Sequence, residues 1–315
     1  MASKILIVDP LTLLGRELAR CIEASPDIAV QVDYRHTSED DEHQIAELGA
    51  EPSLVPALDD PDDTGGAGLV VVTSDTETER TGQLENLIIR HPEITVLDLS
   101  RMPRLAELTT PALPATVHAQ EKLHLRVAHP SLVATSEIVS ALRLLEPVRG
   151  SVAAVDPVST FGRGALETLV HQAARRMQGG EPDHAIAGHV LAFNQVVVDA
   201  DELQLEAAEV LPGLSLAVTR TLCGCFHGHV AHISLELAEP VDDYELRDAL
   251  ESTGALILGE APMGLELVPD RDQILLGPPQ ISPDRRMVSL TALVDGLRIG
   301  GAVTAVEILR SMTVH

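Results

Sequence analysis

The sequence has little positive charge and almost no lysine. Its 315 residues include 22 Lys and Arg against 48 Asp and Glu, and the formal net charge is −26. Nucleic acids and anionic membrane surfaces are bound through basic faces, so we expect neither as a partner. The only lysines are Lys4 and Lys122. They leave few candidates for Schiff-base chemistry or for a phosphate-binding lysine.

Aromatic residues, cysteines and long apolar runs are also scarce. With no Trp, two Tyr and three Phe, the cores must be aliphatic, and little surface is available to stack bases. Three cysteines do not make a disulfide framework, which favours a reducing compartment. No stretch approaches the roughly 18 apolar residues that span a bilayer, and MASKILIVDP lacks a signal-peptide cleavage pattern. We therefore expect a cytoplasmic protein with no membrane partner.

The first third of the chain alternates aliphatic strands with amphipathic helices. Strands are predicted for SKILIVD, IAVQVDY, GLVVVTS and ITVLDLS, and helices for TLLGRELARCIEASP and ERTGQLENLIIRH. This rhythm implies right-handed crossovers and a parallel sheet. The acidic, turn-rich segment 39–68 is predicted to be surface loop. We predict an α/β fold whose first domain, residues 1–130, is doubly wound and Rossmann-like and is completed by a C-terminal helix over 300–315.

The pattern changes after Pro130. Helices are predicted for SEIVSALRLLEP, GALETLVHQAARRMQGG and DYELRDALESTG, and strands for SVAAVDPVS and for the segments near 272–277 and 287–295. The stretch 214–240 alternates over its whole length, as a strand does. We predict an α+β second domain, residues 131–299, with a mostly antiparallel sheet.

The segment CGCFHGH, residues 223–229, concentrates possible metal ligands at a spacing of two. On one strand, Cys223, Cys225, His227 and His229 would line one face over about 20 Å, too far for one ion to bind all four. A neighbouring pair could reach one ion, but zinc takes three or four ligands, and the rest would have to come from elsewhere in the chain. We expect no metal here, and metal binding at Cys225, His227 and His229 is the weaker alternative. Two interpretations stay open, namely ordinary strand residues or a catalytic role for one histidine.

Several stretches together resemble the aspartate-semialdehyde dehydrogenase family. VAHPSLVATSEIVSAL is similar to the segment around the family's nucleophile, and DPVSTFGRGALETLVHQ to its Q-A-V-S-G-A-G segment. LAFNQVVV resembles I-A-F-N, while CFHGHVAHISLEL and LVDGLRIGGAVTAVEIL resemble the F-x-G-H strand and the terminal D-N-L-R-K-G-A helix. An N-terminal strand, loop and helix precede them, in the family's order. The resemblance implies the family's two-domain fold and dimerisation through the C-terminal domain.

The family reduces an aspartyl phosphate with NADPH through a thioester, which requires a thiolate nucleophile. The chain resembles a divergent homologue that lacks this cysteine. Depending on the register, the cysteine position falls on Leu132, Val133 or Ser131. Ser131 is the one candidate among them with a nucleophilic atom. A hydrolase triad of Ser131, His229 and an Asp has no supporting G-x-S-x-G elbow.

Other positions of the family's site are also changed. The glutamine that orients the thioester falls on Asp156, and the arginine that grips the substrate carboxylate falls on Leu222, with Arg220 nearby. The acid–base histidine is retained as His229. Asp156 could orient the His229 imidazole as a general base, or the two could form an ordinary buried pair. We take His229 and Asp156 as the candidate catalytic residues.

The dinucleotide loop of the family has lost most of its glycines. G-x-x-G-x-x-G becomes DPLTLLG, which keeps only Gly15 and places Asp9 at the first glycine. A carboxylate there should repel a phosphate. The resemblance implies Gly15, Thr12, Arg35 and Thr73 as cofactor contacts, with Arg35 available for a 2′-phosphate. NADP is the implied cofactor, and we expect this loop to bind it poorly.

The resemblance and the replaced residues lead to two functional expectations. In the first, the chain is a non-catalytic or regulatory homologue that forms homodimers or pairs with an active paralogue. In the alternative, it is an NAD(P)-dependent oxidoreductase acting on an aldehyde or acyl phosphate in amino-acid biosynthesis, with His229 as acid and base.

Overall fold

Two structural units divide the chain. The structure, a computed structural model, describes residues 3–28, 30–39, 43–47, 52–60, 62, 64–75, 81–100, 102–117, 124–261 and 263–313. The first unit comprises residues 1–127 and 301–315, and the second comprises residues 128–300. Within the described ranges, no helix has both the length and the apolar character needed to cross a membrane.

The described residues form strands and helices with the following bounds. The strands are β1 Ser3–Val8, β2 Val30–Arg35, β3 His43–Glu47, β4 Pro52–Pro56, β5 Leu69–Val72, β6 Thr95–Asp98, β7 Thr110–Ala112, β8 His124–Val127, β9 Pro147–Asp156, β10 Gln195–Val198, β11 Ser215–Cys223, β12 His229–Leu237, β13 Leu256–Leu258, β14 Ile274–Leu276, β15 Gln280–Ile281 and β16 Met287–Val294. The α-helices are α1 Leu13–Glu23, α2 Thr81–Arg90, α3 Pro103–Ala106, α4 Pro114–Val117, α5 Pro130–Ala141, α6 Gly162–Met177, α7 Asp201–Val210, α8 Asp243–Glu251 and α9 Val303–Thr313.

The first unit contains a parallel sheet in the order β2-β1-β5-β6-β8-β7. Alternate residues of a strand point to opposite faces, and β1 is apolar on both. Ile5 and Ile7 pack in one cluster with side chains of α1 and α9, while Leu6 and Val8 pack in a second cluster with side chains of α2. Helices therefore cover both faces of the sheet. The predicted doubly wound fold class is confirmed.

Part of the acidic segment 39–68 is a hairpin, so the prediction of continuous loop is wrong there. β3 and β4 pair antiparallel, with Ile45 opposite Leu54. Both side chains are exposed, at 77% and 59%. Because this hairpin buries neither of these side chains, the hydrophobic pattern gives no strand signal. Residues 40–42, 48–51, 61 and 63 of the segment lie outside the described part.

The second unit is built on a mixed sheet in the order β10-β11-β9-β12-β16-β14-β13, with β15 paired to β16. The pairs β9–β11 and β13–β14 are parallel, and the other pairs are antiparallel. Helix α5 packs on β9, β12 and β16, and its side chains are buried on nearly all sides of its first two turns. The mostly antiparallel second sheet agrees with the predicted α+β class.

The alternating stretch 214–240 is two strands, and its prediction as one is wrong. β11 ends at Cys223 and β12 begins at His229, and both pair with β9, which lies between them. Gly228 has a φ of +90°, and a Cβ on it would lie 2.7 Å from Leu265 Cδ2. This glycine therefore allows a sharp break that a side chain would prevent. The cysteines and histidines of CGCFHGH do not form a continuous row.

Candidate functional site

A buried carboxylate, Asp156, ends strand β9 and is the centre of a polar cluster in the second unit. Arg220 on β11 donates from Nε to Asp156 Oδ2 at 2.7 Å. The register pairs Arg220 with Ala154, two residues before Asp156, so both side chains share a face of the sheet. Arg220 and His229 lie on different strands on either side of β9, and not on one continuous strand as predicted.

His129 is the second partner of Asp156, and the sequence argument missed it. Its Nε2 lies 3.3 Å from each carboxylate oxygen of Asp156. Its Nδ1 accepts a hydrogen bond of 3.2 Å from the backbone N–H of Ser131, which caps the start of α5. A neutral imidazole carries one N–H. Because Nδ1 is the acceptor, that proton is on Nε2 and points to the carboxylate.

His229 completes the cluster from the first position of β12. Its Nε2 lies 3.2 Å from Thr160 Oγ1 and 3.9 Å from Asp156 Oδ1, and its ring meets the His129 ring edge-on at 5.6 Å between centroids. A Cβ on Gly296 would lie 2.2 Å from His229 Cε1, so the absence of a side chain there makes room for the ring. The predicted residues Asp156 and His229 are thus brought together, although His129 is the closer imidazole.

Asp156 is held in its ionised form. Burial alone would raise the pKa of this carboxyl. The interactions with His129, and after them those with His229 and Arg220, outweigh burial and hold the pKa of Asp156 well below its usual range. The cluster therefore contains a permanent negative charge with a partly exposed guanidinium beside it.

The same three side chains form a conceivable metal site, since His129, Asp156 and His229 each offer a ligand atom within 4.8 Å of the others. The hydrogen-bond pattern does not fit it. Metal binding at His129 Nε2 would require that nitrogen to lose its proton, while Nδ1 already faces the N–H of Ser131. Arg220 also supplies the charge that a cation would supply. His227, from the alternative set with Cys225 and His229, is exposed.

The residues at the family's cysteine position lie in the first turn of α5. Ser131 and Leu132 are fully buried, and Val133 is 5% exposed. The Ser131 hydroxyl has no hydrogen-bond partner among the described residues, so no base is placed to activate it. None of the three registers yields an activated nucleophile.

In the first unit, the loop after β1 contains Asp9, whose carboxylate accepts hydrogen bonds from residues that face this loop. The Asp9 carboxylate accepts hydrogen bonds from the backbone N–H of Thr37 at 2.6 Å, from the Thr37 hydroxyl at 2.7 Å, and from the Ser74 hydroxyl. Asp9 has a left-handed φ of 59°, which Asp tolerates better than most residues. The carboxylate thus takes three donors that face this loop.

The other predicted loop contacts hold the loop together. The Thr12 hydroxyl donates to Thr73 O at 2.8 Å and accepts from Gly15 N at 3.0 Å, and the Thr73 hydroxyl donates to Val8 O at 2.8 Å. A Cβ on Gly15 would lie 2.6 Å from Asp9 O, so helix α1 approaches the loop backbone closely. Thr12, Thr73 and Gly15 are brought together, with their polar groups bonded to protein.

Arg35 contacts this loop through its backbone. Its backbone carbonyl accepts from Asp9 N at 2.8 Å, but its Nη1 donates to the neighbouring Tyr34 carbonyl at 2.9 Å. Its Nη2 lies 3.9 Å from the position that a Cβ on Gly65 would take. The structure therefore brings the Arg35 backbone to Asp9, and the guanidinium is hydrogen-bonded to the Tyr34 carbonyl.

Three members of the second unit's cluster were missed or given little weight at the sequence level: His129, Arg220 and Thr160. His129 had a local signal, since a polar residue directly before a proline can cap a helix that the proline opens, but the predicted helix began only at Ser136. Arg220 and Thr160 had none, because strand order and register bring them to Asp156 and His229.

Comparison with known proteins points to one enzyme family. No family model matches the chain. Aspartate-semialdehyde dehydrogenase of Aquifex aeolicus (strain VF5) is 24% identical over 208 residues, which cover 58% of this chain and 60% of that protein. The match thus spans less than two thirds of the relative's length.

Solved structures match over nearly the whole chain. A probable aspartate-semialdehyde dehydrogenase from Pseudomonas aeruginosa has a TM-score of 0.84 at 19% identity, covering 100% of this chain and 99% of that one. Aspartate semialdehyde dehydrogenase II of Vibrio cholerae, complexed with ASA, has a TM-score of 0.81 at 15% identity, covering 99% and 98%. At such identities these likenesses establish the fold. Together with the sequence match, they confirm the predicted resemblance.

Proposed function

We propose that this chain is a dimeric homologue of the aspartate-semialdehyde dehydrogenases that lacks their thioester-forming, NADPH-dependent activity and acts as a non-catalytic or regulatory subunit. The observation that carries the proposal is the pair of Asp156 and Arg220. The resemblance assigns a neutral glutamine to the position of Asp156, and here an ionised carboxylate bonds the nearby arginine. Arg220 is thereby paired with a protein carboxylate, and its Nε donor is not available to a phosphate or carboxylate substrate.

The first turn of α5 supports the same proposal. Acyl transfer needs a nucleophile with an adjacent base or a lowered pKa. Leu132 has no such atom, and the buried Ser131 hydroxyl hydrogen-bonds to no base among the described residues. The chemistry that forms a thioester therefore has no starting group at this position.

The loop of the first unit supports weak or absent dinucleotide binding. A dinucleotide's pyrophosphate is held by backbone and hydroxyl donors at a glycine-rich turn. Here the Asp9 carboxylate already accepts from Thr37 and Ser74 and adds a negative charge beside them. A phosphate would have to displace this carboxylate against electrostatic repulsion.

The outward face of the second unit's sheet supports self-association. Its exposed and half-buried positions on the four central strands are mostly small or hydroxyl-bearing, namely Ser151, Ala153, Ala217, Thr219, Ser234, Ser289 and Thr291, and His232 lies among them. On these four strands the one acidic residue of this face is Glu236, which is paired with Arg149 at 2.6 Å. A chain with 48 acidic residues repels its copies over most surfaces, and this face is nearly free of that repulsion.

Titration with NADPH, followed by cofactor fluorescence at low and high salt, tests the loss of activity. We expect no saturation up to about 1 mM and no NADP reduction with aspartate semialdehyde and phosphate. Asp9→Asn and Asp9→Gly are the matched variants. Asparagine removes the charge but keeps a side chain, while glycine also frees the donors and suits the left-handed φ. Affinity should rise from wild type to asparagine to glycine. Micromolar binding by the wild type would contradict our account of Asp9.

An enzyme that uses His229 on a different substrate is the second candidate. The observation in its favour is that His229 contacts the Thr160 hydroxyl and lies 3.9 Å from an ionised Asp156, beside an Arg220 side chain that is 24% exposed. Saturable NADPH binding with turnover of an aldehyde or acyl phosphate, and a pH profile that disappears in His229→Ala, would support this candidate and contradict the first.

Native mass spectrometry tests the dimer separately. The wild type should be a dimer, and Ser234→Arg should be a monomer because it places a charge at the centre of the outward face. Val170→Arg on α6, where the side chain is 53% exposed, is the control and should remain a dimer. A monomeric wild type would contradict the homodimer and favour pairing with an active paralogue.

A further inference from the structure

We infer that Cys223 and Cys225 form an oxidisable dithiol that a hydroperoxide converts to an intramolecular disulfide, making CGC a redox-modification site in the second unit. The inference is independent of the proposed function. It concerns two thiols that the proposed function does not use.

The backbone geometry brings the two cysteines to a fixed bend. β11 ends at Cys223, and the chain bends at Gly224, whose N–H donates to Asn194 O at 3.1 Å. A Cβ on Gly224 would lie 2.0 Å from Leu191 O, so the bend needs glycine. Cys225 O accepts from Val158 N at 2.9 Å, which holds the far side of the bend.

The spacing suits a disulfide. Residues two apart on an extended strand are about 6.6 Å apart, near the upper end of the roughly 4.4–6.8 Å range between Cα atoms that a disulfide spans. A bend between them shortens that separation. Both thiols are free and half-buried, so a small oxidant can reach them.

The two thiols have different surroundings, which assigns their roles. The side-chain amide of Gln195 donates to Cys223 Sγ at 3.6 Å, and such a donor stabilises negative charge on sulfur. Burial, the adjacent Cys223 thiol and the Asp156 carboxylate raise the pKa of Cys225 to about 12. Cys225 therefore stays protonated at neutral pH. Cys223 is the attacking thiol, and Cys225 is the resolving thiol.

The reaction balances with the hydroperoxide as the oxidant. The Cys223 thiol releases its proton to solvent and attacks the peroxide as the thiolate. An S–O bond forms, the O–O bond breaks, and the departing oxygen takes a proton from solvent to leave as water or alcohol. The Cys225 sulfur then attacks the sulfenic sulfur. An S–S bond forms, and the hydroxyl leaves with the Cys225 proton as water. Two electrons pass from the dithiol to the peroxide.

The third cysteine provides an internal comparison. Cys21 on α1 is buried, at 7% exposure, and its thiol donates to Glu17 Oε1 at 3.8 Å. It has no cysteine next to it in sequence, and it belongs to the first unit. We therefore expect Cys21 to stay reduced when Cys223 and Cys225 are oxidised.

Intact-protein mass spectrometry of the full chain after treatment with hydrogen peroxide tests the inference. The wild type and Cys21→Ser should each lose about 2 Da, reversibly with dithiothreitol. Cys225→Ser should accumulate a sulfenic acid on Cys223 that dimedone traps, while Cys223→Ser should show neither the mass loss nor a dimedone adduct. Circular dichroism of each variant confirms folding.

Two results would overturn the inference. One is dimedone labelling of Cys225 in Cys223→Ser at the rate found for Cys223 in Cys225→Ser, since the two roles would then be equal. The other comes from wild-type protein without any substitution. The disulfide should form at least about tenfold faster in the folded chain than in urea, because the fold holds the thiols at the bend. Equal rates would mean that the structure contributes nothing to the reaction.

Discussion

Replacing Asp156 with asparagine tests the ionised cluster at the end of β9. Asparagine keeps the shape of the side chain and removes its charge. Its carbonyl can still accept from Arg220, but its amide must then face the Nε2–H of His129, because the Ser131 backbone N–H fixes Nδ1 of His129 as an acceptor. In the variant, the asparagine amide donor therefore faces the His129 Nε2–H donor, and Arg220 has no counter-charge.

The size of the effect follows from burial. Removing one partner of a buried ion pair costs about 3–5 kcal/mol. The Asp156 side chain is fully buried, but the Arg220 side chain is 24% exposed, so water compensates for part of the loss. We expect Asp156→Asn to lower the free energy of unfolding by about 2–4 kcal/mol at pH 7.

The pH dependence has a defined sign. Because the folded-state pKa of Asp156 is lowered, its ionisation contributes stability that is fully present above the ordinary value of about 3.9 and is lost as the pH falls below it. The variant cannot lose this contribution. The difference in unfolding free energy between wild type and Asp156→Asn should therefore shrink by about 1.3 kcal/mol between pH 7 and pH 3.

Urea unfolding followed by circular dichroism measures the loss, and hydrogen exchange of the β9 and β11 amides reports the second unit separately. Glu167→Gln is the matched control. Glu167 is exposed on α6 and pairs with Arg163 at i,i+4, so its change should cost less than about 0.5 kcal/mol. Asp156→Asn combined with Arg220→Gln should cost less than the sum of the two single variants. A loss below about 1 kcal/mol at pH 7, or a difference that grows on acidification, would refute the reasoning.

Further predictions concern packing and charge. Gly296→Ala should destabilise the second unit by about 1–3 kcal/mol because its Cβ would meet the His229 ring at 2.2 Å, whereas Gly213→Ala, with nothing within 4 Å, should be near neutral in thermal unfolding. Gly15→Ala should destabilise the first unit by a similar amount, seen as faster hydrogen exchange in β1 and α1. Raising NaCl from about 0.1 to 1 M shortens the Debye length from about 10 to 3 Å, so the net charge of −26 should make the melting temperature rise by about 5 °C. That rise should vanish at the isoelectric pH, and a rise that persists there would rule out charge screening as its cause.

The parts of the fold that are local in sequence were predictable. Aliphatic runs such as SKILIVD signal buried parallel strands, because both faces of such strands are covered. The hairpin of β3 and β4 was missed because apolar residues also occupy exposed positions, as Leu54 does next to the buried Val55, so apolar and polar residues do not alternate along β4. The split between β11 and β12 was missed because the two-residue period continues across it, although Gly224 and Gly228 were available as turn signals.

Only two residues of the candidate site were predictable from the sequence. Asp156 and His229 could be named from the resemblance, whereas Arg220 and His129 reach Asp156 through strand register and the start of α5. Register depends on which strands are neighbours, and one sequence does not determine that order. The distance of 3.9 Å between His229 Nε2 and Asp156 Oδ1 likewise depends on the pairing of β12 with β9.

Asp9 and Asp156 are both carboxylates at positions that the resemblance assigns to ligand contacts. A buried or half-buried carboxylate persists only when the protein supplies donors for it. Thr37 and Ser74 donate hydrogen bonds to Asp9, and Arg220 and His129 donate hydrogen bonds to Asp156. Donors engaged in this way are unavailable to an external anion, so removing a carboxylate restores the donors and costs stability at the same time. Gain of ligand affinity and loss of folding free energy should therefore be coupled at both positions, and a single substitution will not separate them.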